Sequence, residues 1–155
     1  MPDYRRVRTA PIPYLYVERN CSMDPDDISA AMAGAFDTVK RFMQQHGITA
    51  TGAAMSVYDS YDPDRMTFRA GYPVSKADAA RAATPVRSAE TPATEALSFR
   101  HIGPYASLRA SYADMMRYMQ DNGIEMTVPA WEMYLDDADE VPEDALRTEV
   151  FVALK

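Results

Sequence analysis

Phe42-Met43-Gln44-Gln45-His46-Gly47-Ile48-Thr49-Ala50-Thr51-Gly52-Ala53-Ala54-Met55-Ser56-Val57-Tyr58 returns 76 residues later as Tyr118-Met119-Gln120-Asp121-Asn122-Gly123-Ile124-Glu125-Met126-Thr127-Val128-Pro129-Ala130-Trp131-Glu132-Met133-Tyr134, with seven of the seventeen pairs identical. Average composition gives roughly one such match. A glycine after a methionine-glutamine pair, followed by an isoleucine and then a run ending in tyrosine, describes a helix end, a turn and a strand. The spacing therefore predicts one module used twice.

Working outward, each copy carries the same order of local signals. A strand comes first, Ile12 to Arg19 in one half and Thr94 to Arg100 in the other. A helix follows. Asp24-Pro25-Asp26-Asp27 supplies an N-cap, a proline at the first helical position and acids against the helix dipole. Ile28, Met32, Ala35, Phe36, Val39, Phe42 and Met43 then recur at helical spacing until Gly47. In the second copy Pro104 stands near the start, Leu108, Tyr112, Met115, Met116 and Met119 form the stripe, and Gly123 ends it. Two extended segments close each copy, 53–59 with 66–74 and 130–135 with 149–154, joined by a short turn at 60–65 and a longer acidic loop at 136–146. The pattern predicts an α+β domain of two β-α-β-β modules, about 12–74 and about 92–155. Residues 75–91, rich in Ala, Thr and Pro, read as an exposed linker with a helical turn at 77–83.

Composition narrows the function. The 155 residues form one domain's worth of chain, and 47% apolar against 25% charged residues can build a core without staples. Cys21 is the only cysteine, which excludes an internal disulfide, and two histidines do not make a metal cage, so no metal and no cofactor are expected. Twenty-three acidic and 16 basic side chains leave a net charge of −7, which opposes nucleic-acid binding. Arg5, Arg6 and Arg8 read as a solvated terminus. The acidic loop lacks the glycine and ligand spacing of a calcium site. No apolar run spans a bilayer and the basic start is followed by no signal-peptide core, so a cytoplasmic location is expected. The modules leave eleven residues ahead of position 12, too few for a DNA-binding domain, so the spacing predicts a protein that stands alone.

Strand alternation sorts the polar groups, since residues two apart share a face. Leu15 and Val17 suit a helix-covered face, which sends Tyr14 and Tyr16 to the other. Trp131 and Met133 share one face of their strand, and Glu132 and Tyr134 the opposite one, with Ser56 and Tyr58 at the equivalent positions of the first copy. A carboxylate between Trp131 and Met133 is either solvated or buried beside aromatic groups, where an unpaired charge costs several kcal/mol. His101 and Cys21 have no partner at catalytic spacing and read as structural.

Arg100-His101-Ile102-Gly103-Pro104-Tyr105, the helix after it, and Ala130-Trp131-Glu132-Met133-Tyr134-Leu135-Asp136 resemble the second-half signature of the GyrI-like small-molecule-binding family. That family includes effector-binding domains of AraC-type and MerR-type bacterial activators as well as stand-alone proteins. The resemblance covers most of the chain. It implies a curved antiparallel sheet backed by two helices, with pseudo-twofold symmetry and a groove between the modules. It also implies that Glu132 faces the groove and attracts cationic aromatic molecules. The Gly103-Pro104-Tyr105 motif adds Tyr105, and the first module has no such motif after Arg19.

Parity and resemblance together predict a small-molecule site made of Glu132, Tyr134, Tyr16, Tyr58, Tyr105, Ser56 and Tyr14. Aromatic faces suit planar lipophilic cations, and one buried carboxylate complements charge without specifying a single ligand, which predicts multidrug breadth. Two other readings stand beside it. Similar proteins hydrolyse electrophilic cyclopropane-bearing natural products; there Glu132 would orient or deprotonate water and Tyr134 would stabilise the leaving oxygen. Others inhibit DNA gyrase, a protein-interaction role that the acidic surface accommodates. A protein partner or a homodimer is left open by the sequence.

Overall fold

Asp24 accepts the Asp26 amide at 2.9 Å and so caps helix α1, Pro25–His46, in the computed structural model, which describes residues 3–60 and 62–155. Met1, Pro2 and Tyr61, which fall in the basic start and the 60–65 turn, lie outside the described residues. Helix α1 buries Ala35, Val39, Phe42 and Met43 and stops at Gly47, whose φ of 65° lets the Ile48 amide turn back to the Met43 carbonyl at 2.9 Å. The long helix of the second half, α3 (Leu108–Asp121), buries Leu108, Met115 and Met119. Beyond it Gly123 has the same φ of 65°, and Ile124 N donates to Met119 O at the same 2.9 Å. A single turn of helix, α2 (Lys76–Ala79), lies between the halves.

The strands are β1 (Arg5–Arg8), β2 (Pro13–Ser22), β3 (Ala54–Tyr58), β4 (Arg65–Pro73), β5 (Arg87–Glu90), β6 (Glu95–Ile102), β7 (Met126–Tyr134) and β8 (Arg147–Leu154). They form one antiparallel sheet in the order β1-β6-β8-β7-β3-β4-β2-β5. Each half thus has the element order β-α-β-β, and the halves meet where β7 pairs with β3. The fold is the expected α+β class. Two segments depart from expectation. The arginine-rich start is an edge strand paired with β6, with Arg6 held by Glu95 at 3.3 Å, and the stretch read as an exposed linker carries, after the helical turn expected there, the other edge strand, β5. Val86 and Thr91 of that stretch are buried. Both strands are four residues long, too short to show an alternating pattern.

Chain length then dictates curvature. In a flat sheet β1 and β2, six places apart in the order, would be separated by about 29 Å at roughly 4.8 Å per strand. Yet only five residue steps join Arg8 to Pro13, a reach of about 18 Å at most. The step from Glu90 in β5 to Glu95 in β6 imposes the same limit. The sheet must curl until its ends approach. Thr9 N bonds Thr94 O at 2.8 Å and Thr91 N bonds Ile12 O at 3.0 Å, tying the two connections. Val7 and Ala96 at one end pack in the same cluster as Ala89 and Tyr14 at the other.

Both faces are consequently buried. Cross-strand partners Val17, Ala70, Ser56, Glu132, Val150 and Phe99 form one row, and its ends lie under the helices, Val17 in the α1 cluster and Phe99 in the α3 cluster. The far face carries Tyr14, Tyr16, Met55, Val57 and Trp131, closed in by the curl.

Candidate ligand-binding groove

Helices α1 and α3 cover separate clusters, which leaves the strip over β3 and β7 between them. Four side chains reach that strip by register: Ser56 and Tyr58 from β3, Glu132 and Tyr134 from β7, with Ser56 directly opposite Glu132. Alternation puts Met55, Val57, Trp131 and Met133 on the far side, where they pack in the far-face cluster.

Glu132 is only 4% exposed. Tyr112, from the inner face of α3, donates its hydroxyl to Oε2 at 2.5 Å, and Tyr134 donates to Oε1 at 2.7 Å. Ser56 Oγ lies 2.6 Å from the Tyr134 hydroxyl and 3.2 Å from that of Tyr58. None of the ion pairs among the described residues includes Glu132. Burial pushes its carboxyl above the ordinary glutamate value, against the downward pull of hydrogen bonds from Tyr112, Tyr134 and Tyr58 and of the nearby His101. The same burial, reinforced by the Glu132 charge, raises the phenols of Tyr58 and Tyr134. The tyrosines therefore serve as donors, and the site holds one acidic group that is costly to ionise.

An aromatic frame surrounds it. Phe36 of α1 stands edge-on to Tyr134 at 6.0 Å and to Tyr72 of β4 at 5.9 Å. Tyr105, in a short 3-10 turn before α3, meets Tyr134 at 5.4 Å and 74°. Tyr105 is 41% exposed, at the rim. Burial and the charges of Asp136 and Asp137 raise its phenol, so acidic groups of the 136–146 loop border this edge. His101 props the turn. Its Nε2 donates to the Pro104 carbonyl at 3.0 Å and its Nδ1 lies 2.7 Å from Ser111 Oγ.

Of the residues singled out in the sequence, Glu132, Tyr134, Tyr58, Ser56 and Tyr105 are brought together on the helix-bearing face. Tyr14 and Tyr16 are not. They lie on the far face, 2% and 6% exposed, with Arg69 bonding the Tyr14 hydroxyl at 3.3 Å and stacked over Tyr16 at 4.7 Å. The reason is register: Tyr16 pairs with Gly71, and Gly71 with Met55, one residue out of step with Ser56 and Glu132. Alternation within a strand fixes which side chains share a face, while cross-strand register decides which face that is. Phe36, Tyr72 and Tyr112 were not singled out. Tyr112 carried a signal, since a hydroxyl on the apolar stripe of α3 needs a polar partner across the strand it packs on.

Among the described residues no group of three or more His, Cys, Asp or Glu side chains is arranged to hold a metal ion, and no helix is long and apolar enough to cross a membrane.

Solved structures share the fold. The EcmrR C-terminal domain superimposes with a TM-score of 0.81 at 20% identity, covering 100% of this chain and 98% of that one. SAV2435 bound to tetraphenylphosphonium gives 0.68 at 10% identity, over 99% and 94% of the two chains. A hydrolase encoded by lin2189 from Listeria innocua gives 0.62 at 15%, over 98% and 91%. No curated protein sequence matches the chain. The sequence pattern of the GyrI-like small molecule binding domain matches residues 2–155, so the chain belongs to that family and is a small-molecule-binding domain.

Proposed function

We propose that the strip between α1 and α3 binds lipophilic aromatic cations, with the Glu132 carboxylate as counter-charge, and that the chain acts as a cytoplasmic binder of several such molecules. One observation carries this reading: a buried carboxylate is held by hydroxyl donors and joins no ion pair among the described residues, with only the nearby His101 acting on it as a charge. A cation entering the strip supplies the missing charge in surroundings of reduced dielectric, where the pairing is worth more than in water. The rings of Phe36, Tyr105 and Tyr134 offer apolar area and negative faces to the same molecule.

Calorimetric titration with tetraphenylphosphonium and with neutral triphenylphosphine oxide tests the proposal. Glu132→Gln should cost the cation roughly 2 to 5 kcal/mol, the scale for removing one partner of a buried charge pair, and spare the neutral compound. Equal affinity for the cation in both proteins would defeat it. The hydrolytic alternative rests on the same pair of groups, since a carboxyl held above its ordinary value is tuned toward general-base work and Tyr134 stands 2.7 Å away. It requires turnover of cyclopropane-bearing substrates that Glu132→Gln abolishes while leaving binding intact. If neither binding nor turnover is found, the interaction role of the gyrase-inhibitor kind remains, tested by a gyrase supercoiling assay.

A further inference from the structure

The curl of the sheet creates a concavity on the face opposite the strip between α1 and α3. It has a volume of about 400 Å³ and is lined by Arg5, Val7, Arg8, Ile12, Trp131 and Phe151, with Ser98 and Glu149 at its sides. Trp131 and Phe151 are cross-strand partners on β7 and β8, stacked at 5.4 Å with their planes only 12° apart. Trp131 is only 1% exposed, so the half-buried Phe151 stacked on it is the ring that faces the hollow, and its apolar face suits an aromatic guest.

Charge selects the guest further. On a protein of net charge −7 this hollow is lined by two arginines against one glutamate. Arg6 is held by Glu95, whereas no hydrogen bond or ion pair among the described residues engages the side chain of Arg5 or Arg8. The one acid lining the hollow, Glu149, is already neutralised by Arg100 at 2.7 Å. We infer that this concavity is a second ligand site, for an aromatic molecule bearing one acidic group, a carboxylate or sulfonate, whose ring lies against Phe151 while Arg5 and Arg8 take the anion. Its preference is opposite in sign to that of the groove. Glu132 and Trp131 are adjacent in sequence and point to opposite faces, so each site has its own residues.

Trp131 is the only tryptophan and is stacked with Phe151, so its single indole N–H resonance senses a ring placed on Phe151 in a nitrogen-labelled sample. Titration with naphthalene-2-sulfonate should shift that resonance saturably, and 2-naphthalenemethanol, neutral and of the same outline, should bind more weakly. The double variant Arg5→Gln/Arg8→Gln, with both changes on exposed side chains of an edge strand, should weaken the sulfonate on the order of tenfold and leave the alcohol unchanged. Added salt should weaken the sulfonate alone. Glu132→Gln should leave the sulfonate titration unaltered, which separates this inference from the function proposed for the groove. An unshifted indole resonance, equal affinity for the two probes, or a double variant that binds the sulfonate like the native chain would overturn it.

Discussion

Ser56 and Glu132 stand opposite one another across the strand pair that joins the two halves, and the Tyr134 hydroxyl links them, 2.6 Å from one and 2.7 Å from the other. Burying a lone carboxylate costs several kcal/mol. The fold offsets that cost with donors from two separate elements, Tyr134 on β7 and Tyr112 on α3. The carboxyl is thus hydrogen-bonded by hydroxyls and takes part in no ion pair among the described residues.

This arrangement sets a pH dependence. Burial holds the Glu132 carboxyl above its ordinary value of 4.5. The unfolded chain therefore loses this proton first, while the folded chain still keeps it. The resulting contribution to stability is fully present below that ordinary value and is lost as pH rises through the raised folded value. Glu132→Gln, which has no proton to lose, should be more stable than the native protein at about pH 7, with the difference gone near about pH 4. Urea midpoints across that range check it, and parallel curves for the two proteins would refute it.

Tyr112→Phe removes the 2.5 Å hydrogen bond to Glu132 Oε2 and keeps the ring. Hydrogen bonds to charged groups contribute about 1.5 to 3 kcal/mol, so a loss on that scale is expected. Because this bond pulls the carboxyl down, its removal should also push Glu132 further up and move the onset of cation binding to higher pH. In a Glu132→Gln background the same change should cost less, and a double-mutant cycle in urea measures the difference.

The helices and the inner strands were legible because their signals are local. Gly47 and Gly123 stop helices, and strands of five or more residues show their alternation. Strands β1 and β5 escaped, since Arg5-Arg6-Val7-Arg8 and Arg87-Ser88-Ala89-Glu90 look like solvated chain and become strands only because a curled sheet offers them an edge. The misplacement of Tyr14 and Tyr16 has a related cause. Where one face of a sheet meets water, apolar residues mark the other, but here Trp131 and Tyr14 on the far face are as buried as Leu15 and Phe99 under the helices. Hydrophobicity could not say which side of β7 the helices cover. The partnership of Tyr112 with Glu132 joins positions 20 residues apart through packing alone.

Gly71 carries a prediction about the sheet itself. A Cβ built there would stand 1.8 Å from the Leu15 carbonyl oxygen, a backbone atom of the neighbouring strand that has no room to withdraw. Gly71→Ala should therefore cost more than the roughly 1 to 3 kcal/mol of ordinary overpacking. Gly34, mid-helix in α1 with nothing within 4 Å of a built Cβ, is the contrast. Gly34→Ala should stabilise by about 0.5 to 1 kcal/mol. Thermal unfolding of both variants checks the pair, and a Gly71→Ala protein as stable as the native chain would show that the β2–β4 contact is looser than described.

Tyr105 separates binding from folding most cleanly. It is 41% exposed, packs edge-on against Tyr134 at 5.4 Å, and takes no part in the hydrogen bonds that hold Glu132. Truncating it removes little buried area, so Tyr105→Ala should change stability by less than about 1 kcal/mol. Its ring stands at the rim of the strip, beside the acidic loop, where an incoming aromatic cation would meet it first. Loss of that face should weaken tetraphenylphosphonium by about 0.5 to 2 kcal/mol, within the range of aromatic and cation–π contacts. Tyr105→Phe should retain most of the affinity, because the ring rather than the hydroxyl makes the contact. Calorimetry on the two variants, with thermal unfolding alongside, gives the answer: if Tyr105→Ala binds the cation like the native chain, the entrance to the groove does not run past this turn.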